Sequence, residues 1–434
     1  MTTFDQIVPI LNEIFSQYSA TVAQFGTMLV NRDLNGRIRL IVAETLREDP
    51  EAQGILRNIA GQMYEKLGPH AFPSEQAVLF ETEDELKRNS LPSFTLTLEG
   101  LANIRVVDRL VTESNWTAIA PPATGAPRIV FFSIKGGVGR STALAATAWN
   151  LAQRGKRVLV LDLDLESPGI SSALLPDGFG PKYGITDWLV EDLVDNGDAV
   201  IKDLVVPSLL SRHGEIYVAP AHGRDPGEYV AKLGRVWMPK INRDGRRERW
   251  SQRLRRLIDT LGQRYCLDAI LIDSRAGIDE IASACVTDLG AALVLLFATA
   301  SKQTWAGYQI LFRHWRRNAV AREIRKRLQL VGAMIPEDEA RNRYLQELRD
   351  QAWDVFRDEL YDEVPAGATT EGLWSFDIAD EEAPHMPWAV RWNRGWATVH
   401  SLHGRLEEVD QSEVKYIFGP LLDGIDSIID NHYE

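Results

Sequence analysis

Cysteine is scarce in this chain. There are two, Cys266 and Cys285, in 434 residues, both inside apolar runs. Two thiols cannot build a disulfide framework, so a reducing compartment is expected. No apolar run reaches about 18 residues, which excludes a membrane-spanning helix. The opening residues, Met1-Thr2-Thr3-Phe4-Asp5, lack the basic and apolar regions of a signal peptide. A cytoplasmic protein is the expectation. Internal repeats and low-complexity tracts are missing as well. Positive charge is not in excess either: the net charge is −13, which argues against uniform coating of nucleic acid. What is present is ordinary globular composition, 45% hydrophobic and 25% charged. That excludes a fibrous, collagen-like or wholly disordered chain. The length suggests two or three domains at the usual ~100–200 residues each.

The acidity is unevenly placed. Residues 331–434 carry 8 Lys+Arg against 23 Asp+Glu, whereas residues 1–330 carry 40 against 38. The run Pro121-Pro122-Ala123-Thr124-Gly125-Ala126-Pro127 cannot continue a helix or a central strand. It reads as a linker over 121–127, after a small α+β module at 1–120. In that module Ile7, Leu11, Ile14, Tyr18, Val22 and Phe25 recur at helical spacing, and Ile55, Ile59 and Met63 do so after the start signal Asp49-Pro50. Arg37–Glu44, Ala77–Glu81, Ser93–Leu98 and Asn103–Val111 read as strands. The module shows no catalytic constellation, and its one histidine, His70, reads as a turn or surface residue. From Arg128 strands alternate with helices: strands over Arg128–Ser133, Arg157–Asp162, Asp268–Asp273, Ala291–Phe297 and Leu328–Ile335, with an Ala/Leu-rich helix over Ser141–Arg154. Near-continuous Val/Ile/Leu strands separated by helices predict an α/β fold, a mostly parallel sheet covered by helices on both faces. The core is expected over 128–340, and the acidic, Trp-rich residues 341–434 complete or extend it.

Between the first of these strands and its helix lies Lys135-Gly136-Gly137-Val138-Gly139-Arg140-Ser141-Thr142. A strand, a glycine-rich turn and a helix N-terminus make a preorganised anion site. The ordinary phosphate-loop pattern is G-x-x-x-x-G-K-[S/T]. Here Ile134 stands for its first glycine and Arg140 for its lysine. The loop resembles that of the MinD/ParA group of P-loop ATPases, the deviant Walker A (SIMIBI-class) kind, K-G-G-x-G-K-[S/T]-[S/T], matching at Lys135, Gly136, Gly137, Gly139, Ser141 and Thr142. The resemblance implies that Lys135 reaches across a nucleotide-sandwiched homodimer to the partner's phosphates, that Ser141 binds Mg²⁺ and that Thr142 binds a phosphate. It covers roughly residues 128–340.

Two further motifs agree in order. Leu161-Asp162-Leu163-Asp164 ends a strand with two aspartates pointing the same way. By resemblance Asp164 positions the attacking water and Asp162 supports the Mg²⁺ shell. Ala269-Ile270-Leu271-Ile272-Asp273 is a Walker B strand whose carboxylate supports the metal. In the following Ser274-Arg275-Ala276-Gly277, Arg275 replaces a proline common in the family, and Gly277 is placed in switch II. Ile278–Cys285 is expected to start a helix, with Cys285 packed in the core. Arg140 keeps a positive charge near the phosphates, but its planar fork differs from an ammonium, so slow hydrolysis is expected.

Residues 243–256 contain seven arginines, and residues 313–327 contain six arginines and Lys326. Both read as basic helices. They present either a DNA-binding face, a solvated face, or one paired with the chain's own acidic region. Trp250 and Trp315 inside them read as helix-packing residues. Trp374, Trp388, Trp392 and Trp396 suggest a packed subdomain or a partner surface. Asp380-Glu381-Glu382-Ala383-Pro384-His385 has metal-ligand residue types without regular spacing. The acidic end, with Asp423, Asp426, Asp430 and Glu434, speaks against an anionic membrane surface. The leading expectation is an ATP-dependent dimerising switch with ATP and Mg²⁺ as cofactors and an unidentified protein partner, of the kind found in bacterial regulatory or conflict systems. The alternatives are a ParA-like DNA-bound positioning ATPase, and a scaffold that holds nucleotide without turnover. A tyrosine autokinase is disfavoured, since Tyr433 stands alone near the end.

Overall fold

The computed structural model describes residues 2–88, 93–96, 103–364, 372–397 and 402–432. The chain forms two compact units, Met1–Ala118 and Ile119–Glu434.

In the first unit, α1 (Ile7–Ser16) turns Ile7, Leu11, Ile14 and Phe15 inward at helical spacing. The same spacing continues to Phe25, but the helix does not. It stops at Ser16, and a short helical turn covers Ser19–Val22. Strands β1 (Met28–Arg32) and β2 (Ile38–Ala43) follow. Helix α2 (Pro50–Leu67) starts where Asp49 accepts the amides of Glu51 and Ala52, with Pro50 at the first position, where a missing N–H costs nothing. Strands β3 (Val78–Glu81), β4 (Ser93–Thr95) and β5 (Ile104–Asp108) complete a sheet of order β3-β2-β1-β5-β4. The strand expected over 93–98 is seen to Thr95; residues 97 and 98 lie outside the described residues. Strand β1, which the pattern does not announce, is the central one. It pairs antiparallel with β2 and parallel with β5.

In the second unit β6 (Arg128–Ser133) is buried along its whole length. Consecutive aromatics divide between the two faces of the sheet. Phe131 joins the cluster around α3 (Arg140–Gln153), while Phe132 meets Tyr308 edge-on at 6.2 Å on the other face. The chain then makes β7 (Arg157–Asp162), α4 (Ile185–Asp192), β8 (Val206–Pro207) and β9 (Glu215–Ala219). A two-residue-long ladder follows, β10 (Lys240–Ile241) with β11 (Arg247–Glu248). After it come α5 (Trp250–Tyr265), β12 (Ala269–Asp273), β13 (Leu293–Ala298), α6 (Lys302–Arg317), β14 (Leu328–Ile335), α7 (Arg341–Glu359), β15 (Trp388–Arg391) and α8 (Gln411–His432). The eight-stranded order is β15-β14-β13-β6-β12-β7-β9-β8. Every pairing in it is parallel except β8 with β9 at one edge.

Several expectations change. Residues 243–249 do not belong to a helix: the turn after β10 and strand β11 occupy them, and α5 begins at Trp250. Likewise 313–327 is the end of α6, a turn, and two short helical pieces. The helix expected from Ile278 starts at Glu280, capped by Asp279, and widens to a π-turn over Ala284–Asp288. The proline-rich segment is fastened to the second unit, with the Ala120 amide bonded to the Thr287 carbonyl and the Ala123 amide to that of Gly290. Residues beyond 340 build one edge of the main sheet, since β15 pairs with β14, and α8 buries Val414, Ile417, Phe418, Leu421, Leu422 and Ile425. Cys285 is buried and burial pushes its thiol up, whereas Cys266 is exposed, contrary to its apolar neighbours in sequence. Among the described residues no helix is long and apolar enough to cross a membrane.

Candidate nucleotide site

Parallel strands bring their carboxyl ends to one rim of the sheet, and loops leaving that rim carry all three motifs. Asp162 of β7 and Asp273 of β12 lie directly opposite each other in the ladder. Asp273 is also in register with Phe131 of β6, two residues before the strand ends at Ser133. The glycine-rich loop 135–139 therefore leaves β6 beside both aspartates. It turns into α3 at Gly139, whose φ of +78° is a left-handed conformation that a side chain would strain. The first intrahelical bond is Ala143 N–H to the Gly139 carbonyl. The amides of Arg140, Ser141 and Thr142 precede it, so the helix itself offers them no acceptor, and they suit an anion. Lys135, Gly136 and Gly137 are exposed, and Val138 is buried beneath the loop.

Ser141 donates its hydroxyl to Asp273 Oδ2 at 2.8 Å. Asp162 accepts the Gly169 amide at 3.2 Å through Oδ2, while its Oδ1 is buried with no hydrogen-bond partner. Asp164 sits two residues further on and accepts the Ser167 amide at 3.2 Å. Burial raises all three carboxylates, and carboxylate neighbours add to the effect at Asp162 and Asp164. Burial pushes Asp162 well above the ordinary carboxylate range, with Asp273 and Asp164 adding to the effect. Burial raises Asp164 as well, against the pull of Arg140. It also raises Asp273, against Arg140 and Ser141.

Arg140 is the unexpected element. Its side chain does not extend along the loop toward an anion. It is buried, turned back toward the strand ends. Nε donates to Asp273 Oδ1 at 2.8 Å, Nη1 to Ser133 Oγ at 3.2 Å, and Nη2 lies 3.5 Å from Asp164 Oδ2. The sequence marks Arg140 as a departure but places its charge beside the phosphates. The geometry places it among the carboxylates.

Three further residues tie the loops. Gly277, with φ +107°, donates its amide to the Ser133 carbonyl at 2.9 Å. Arg275 pairs with Glu166 at 2.6 Å and Asp279 at 3.4 Å, linking the loop after β12 to the loop after β7. Tyr229 donates its hydroxyl to the Leu165 carbonyl at 2.6 Å. No sequence motif marks Ser133 or Tyr229, whereas Glu166 lies two residues after the D-x-D pair.

The donor set fits a hard, oxygen-preferring cation: a hydroxyl on one carboxylate, and a second carboxylate with an unpartnered buried oxygen. Among the described residues no three His, Cys, Asp or Glu side chains form a metal cage by themselves. Magnesium commonly takes one or two carboxylates and completes its shell with phosphate and water. His385 is no ligand here. It is buried, with Nδ1 2.5 Å from the Tyr361 hydroxyl and Nε2 3.3 Å from the Ile378 carbonyl.

The arginine-rich segments are largely occupied within the chain. Arg253 is wholly buried and bonds Asp192 at 2.9 Å, and Arg256 bonds Asp192 at 2.8 Å and Glu248 at 3.0 Å. Arg313 pairs with Glu359 at 3.0 Å, Arg316 with Glu363 at 2.8 Å, and Arg325 with Asp362 at 2.9 Å. Trp250 and Trp315 are buried packing residues. Of the C-terminal tryptophans, Trp374 packs edge-on to Tyr361 at 5.2 Å and Trp396 to Phe418 at 5.1 Å, whereas Trp392 is exposed.

No curated protein matches the chain. Among solved structures it is similar to the septum site-determining protein MinD of Pyrococcus horikoshii OT3, complexed with Mg-ADP. That match has 19% identity, a TM-score of 0.43, and covers 71% of this chain and 98% of that one. It is also similar to a ParA family ATPase from Chlorobium tepidum TLS, with 14% identity, a TM-score of 0.41, and 71% and 99% covered. A third is cobyrinic acid a,c-diamide synthase from Mycobacterium smegmatis, with bound ATP analog and magnesium, at 17% identity, a TM-score of 0.38, and 55% and 86% covered. The model of the CobQ/CobB/MinD/ParA nucleotide binding domain matches residues 129–349, half of the chain and all three motifs. The span matched contains the phosphate loop, the D-x-D pair and the strand ending at Asp273, and the chain belongs to that nucleotide-binding family as a MinD/ParA-like P-loop ATPase.

Proposed function

We propose that the protein is an ATP-dependent dimerising switch. It binds ATP with Mg²⁺ at residues 135–142, 162–164 and 273, and couples slow hydrolysis to a protein partner in a bacterial regulatory or conflict system. The observation that carries this reading is the Ser141–Asp273 bond beside Asp162, at the mouth of a glycine loop opening onto a helix N-terminus. In this reading Gly136–Thr142 cradle the phosphates through backbone amides, and Thr142 adds a hydroxyl. Ser141, Asp162 and Asp273 hold the cation or its water shell. Bound there, magnesium neutralises phosphate charge and orients the γ-phosphate. Asp164 orients the attacking water. Lys135, exposed at the loop's start, faces the partner's nucleotide in the dimer. Gly277 lets the loop after β12 respond to the γ-phosphate, and the first unit serves as adaptor.

The charge distribution favours this reading over a DNA-bound positioning ATPase. In segment 313–327, Arg313, Arg316, Arg322 and Arg325 are paired with Glu359, Asp362 and Glu363. Around the β10–β11 turn Arg243 and Arg246 remain exposed, but they lie beside Asp195 and Asp244.

The test is thermal melting with and without ATP-Mg²⁺. Ligand bound to the native state shifts unfolding by mass action, by about 2.7 kcal/mol at a hundredfold excess over Kd. Ser141→Ala and Asp273→Ala should reduce the wild-type shift. A wild-type melting temperature unmoved by millimolar ATP-Mg²⁺ refutes the reading.

A further inference from the structure

Both oxygens of Asp273 are engaged. Oδ2 takes the Ser141 hydroxyl and Oδ1 takes Arg140 Nε, each at 2.8 Å. Arg140 is 8% exposed, and its guanidinium spans three acceptors on three different strands or their ends: Ser133 at the end of β6, Asp164 after β7 and Asp273 of β12. A planar fork holds such a set in fixed donor directions, whereas lysine would bring one compact point charge. The same residue that departs from the phosphate-loop pattern thus supplies positive charge where the carboxylates converge.

We propose that Arg140 is an internal latch that occupies Asp273 in place of a divalent cation and must let go of it when the metal–nucleotide complex binds. The proposal deepens the reading given above and rests on it. Three carboxylates meet at this rim, and one guanidinium answers two of them, leaving Asp162 Oδ1 without a partner. The arrangement is neutral enough to persist without metal, yet still short of positive charge. A cation arriving with ATP completes that charge, but it draws on the carboxylate that Arg140 holds. Part of its binding free energy therefore goes into opening the latch. Metal enhancement of nucleotide affinity is correspondingly small in the wild type. Ser133 is a positioning residue for the latch, since it fixes Nη1 without touching Asp273.

The experiment measures the affinity of a fluorescent, non-hydrolysable ATP analogue with Mg²⁺ and with EDTA, and takes the ratio of the dissociation constant in EDTA to that in Mg²⁺. In Arg140→Met this ratio should rise on the order of tenfold over wild type, the scale of one charge-assisted hydrogen bond. Arg140→Lys should fall between. Ser133→Ala should raise the ratio a few-fold, roughly what a weaker neutral acceptor contributes. It carries the test if Arg140→Met does not fold. A purely structural role weakens both conditions together and leaves the ratio unmoved. Analogue binding with ratios equal to wild type in Arg140→Met and Ser133→Ala overturns the latch while sparing the nucleotide site. No analogue binding by the wild type in either condition defeats the nucleotide reading, and the latch with it.

Discussion

Asp164 and Asp273 share one guanidinium but are assigned different work, so single substitutions separate them. Asp273 touches the Ser141 hydroxyl, and its loss removes a donor from the metal set. Asp164 is more open and is assigned to the attacking water. In Asp164→Ala we expect nucleotide affinity to stay near wild type while phosphate release falls by about 10²-fold or more, the range for losing a positioned catalytic group. Phosphate release at the wild-type rate removes Asp164 from the catalytic list. A second residue-scale expectation concerns acid. Arg325 hydrogen-bonds the Asp362 carboxyl and holds it at about 2, below its usual 3.8. A depressed folded pKa stabilises the protein above the unfolded value, and that contribution is lost as pH falls from about 4 through about 2. Urea unfolding between pH 5 and 2.5 should show a shallower acid loss in Asp362→Asn than in wild type. Parallel curves would show that the pair contributes nothing to the acid limb.

The strands that sequence pattern finds most readily are buried on both faces, such as β6, β7 and β12. Two of those it misses are only partly covered: β9 mixes buried and partly exposed residues, and β15 lies at a sheet edge. Helix α8 shows why an edge needs its neighbour. Its Gly424 lies against the Trp388 indole of β15, and a Cβ there would stand 2.5 Å from ring carbons. Gly424→Ala should therefore destabilise the second unit by about 1–3 kcal/mol, the usual cost of overpacking, although alanine favours helix. Trp388→Leu in the same chain should recover part of the loss. Denaturant unfolding of the single and double variants checks both, and an unchanged midpoint in Gly424→Ala would contradict the packing. The salt links of α8 point the same way. Asp426 and Asp430 pair with Arg154 at the end of α3, so this acidic helix is bound to the protein's own basic residues.

At the scale of the whole molecule the proposed switch needs a second copy. Two nucleotides facing each other across an interface repel unless cations lie between them. Lys135 is exposed at the start of the loop, and in the proposed dimer it supplies one from each subunit. Light scattering should give a larger mass with a non-hydrolysable ATP analogue than with ADP or no nucleotide. Lys135→Ala should weaken that dimer by several kcal/mol, on the order of the 2–5 kcal/mol lost when one side of a buried charge pair is removed. Equal masses in all three states, for wild type and variant alike, would defeat the sandwich while leaving ATP binding intact. Part of the acidic C-terminal quarter has a counterpart within one chain: Glu359, Asp362 and Glu363 meet the arginines at the end of α6 and after it.

The amino-acid sequence by itself determined the parallel sheet, the phosphate loop and the order of its three motifs. Each is a local pattern, read from apolar runs, from glycines where a backbone must turn, and from aspartates at strand ends. What Arg140 does was not local. Its partners Ser133, Asp164 and Asp273 leave three different strands, and only the ladder register that sets Asp162 opposite Asp273 brings them within reach of one guanidinium. The arginine-rich segments teach the same lesson. Residue type shows that they are charged. Whether the charge faces a polyanion or an aspartate of the same chain depends on which elements pack together, and in this protein Asp192 and Asp362 meet much of it.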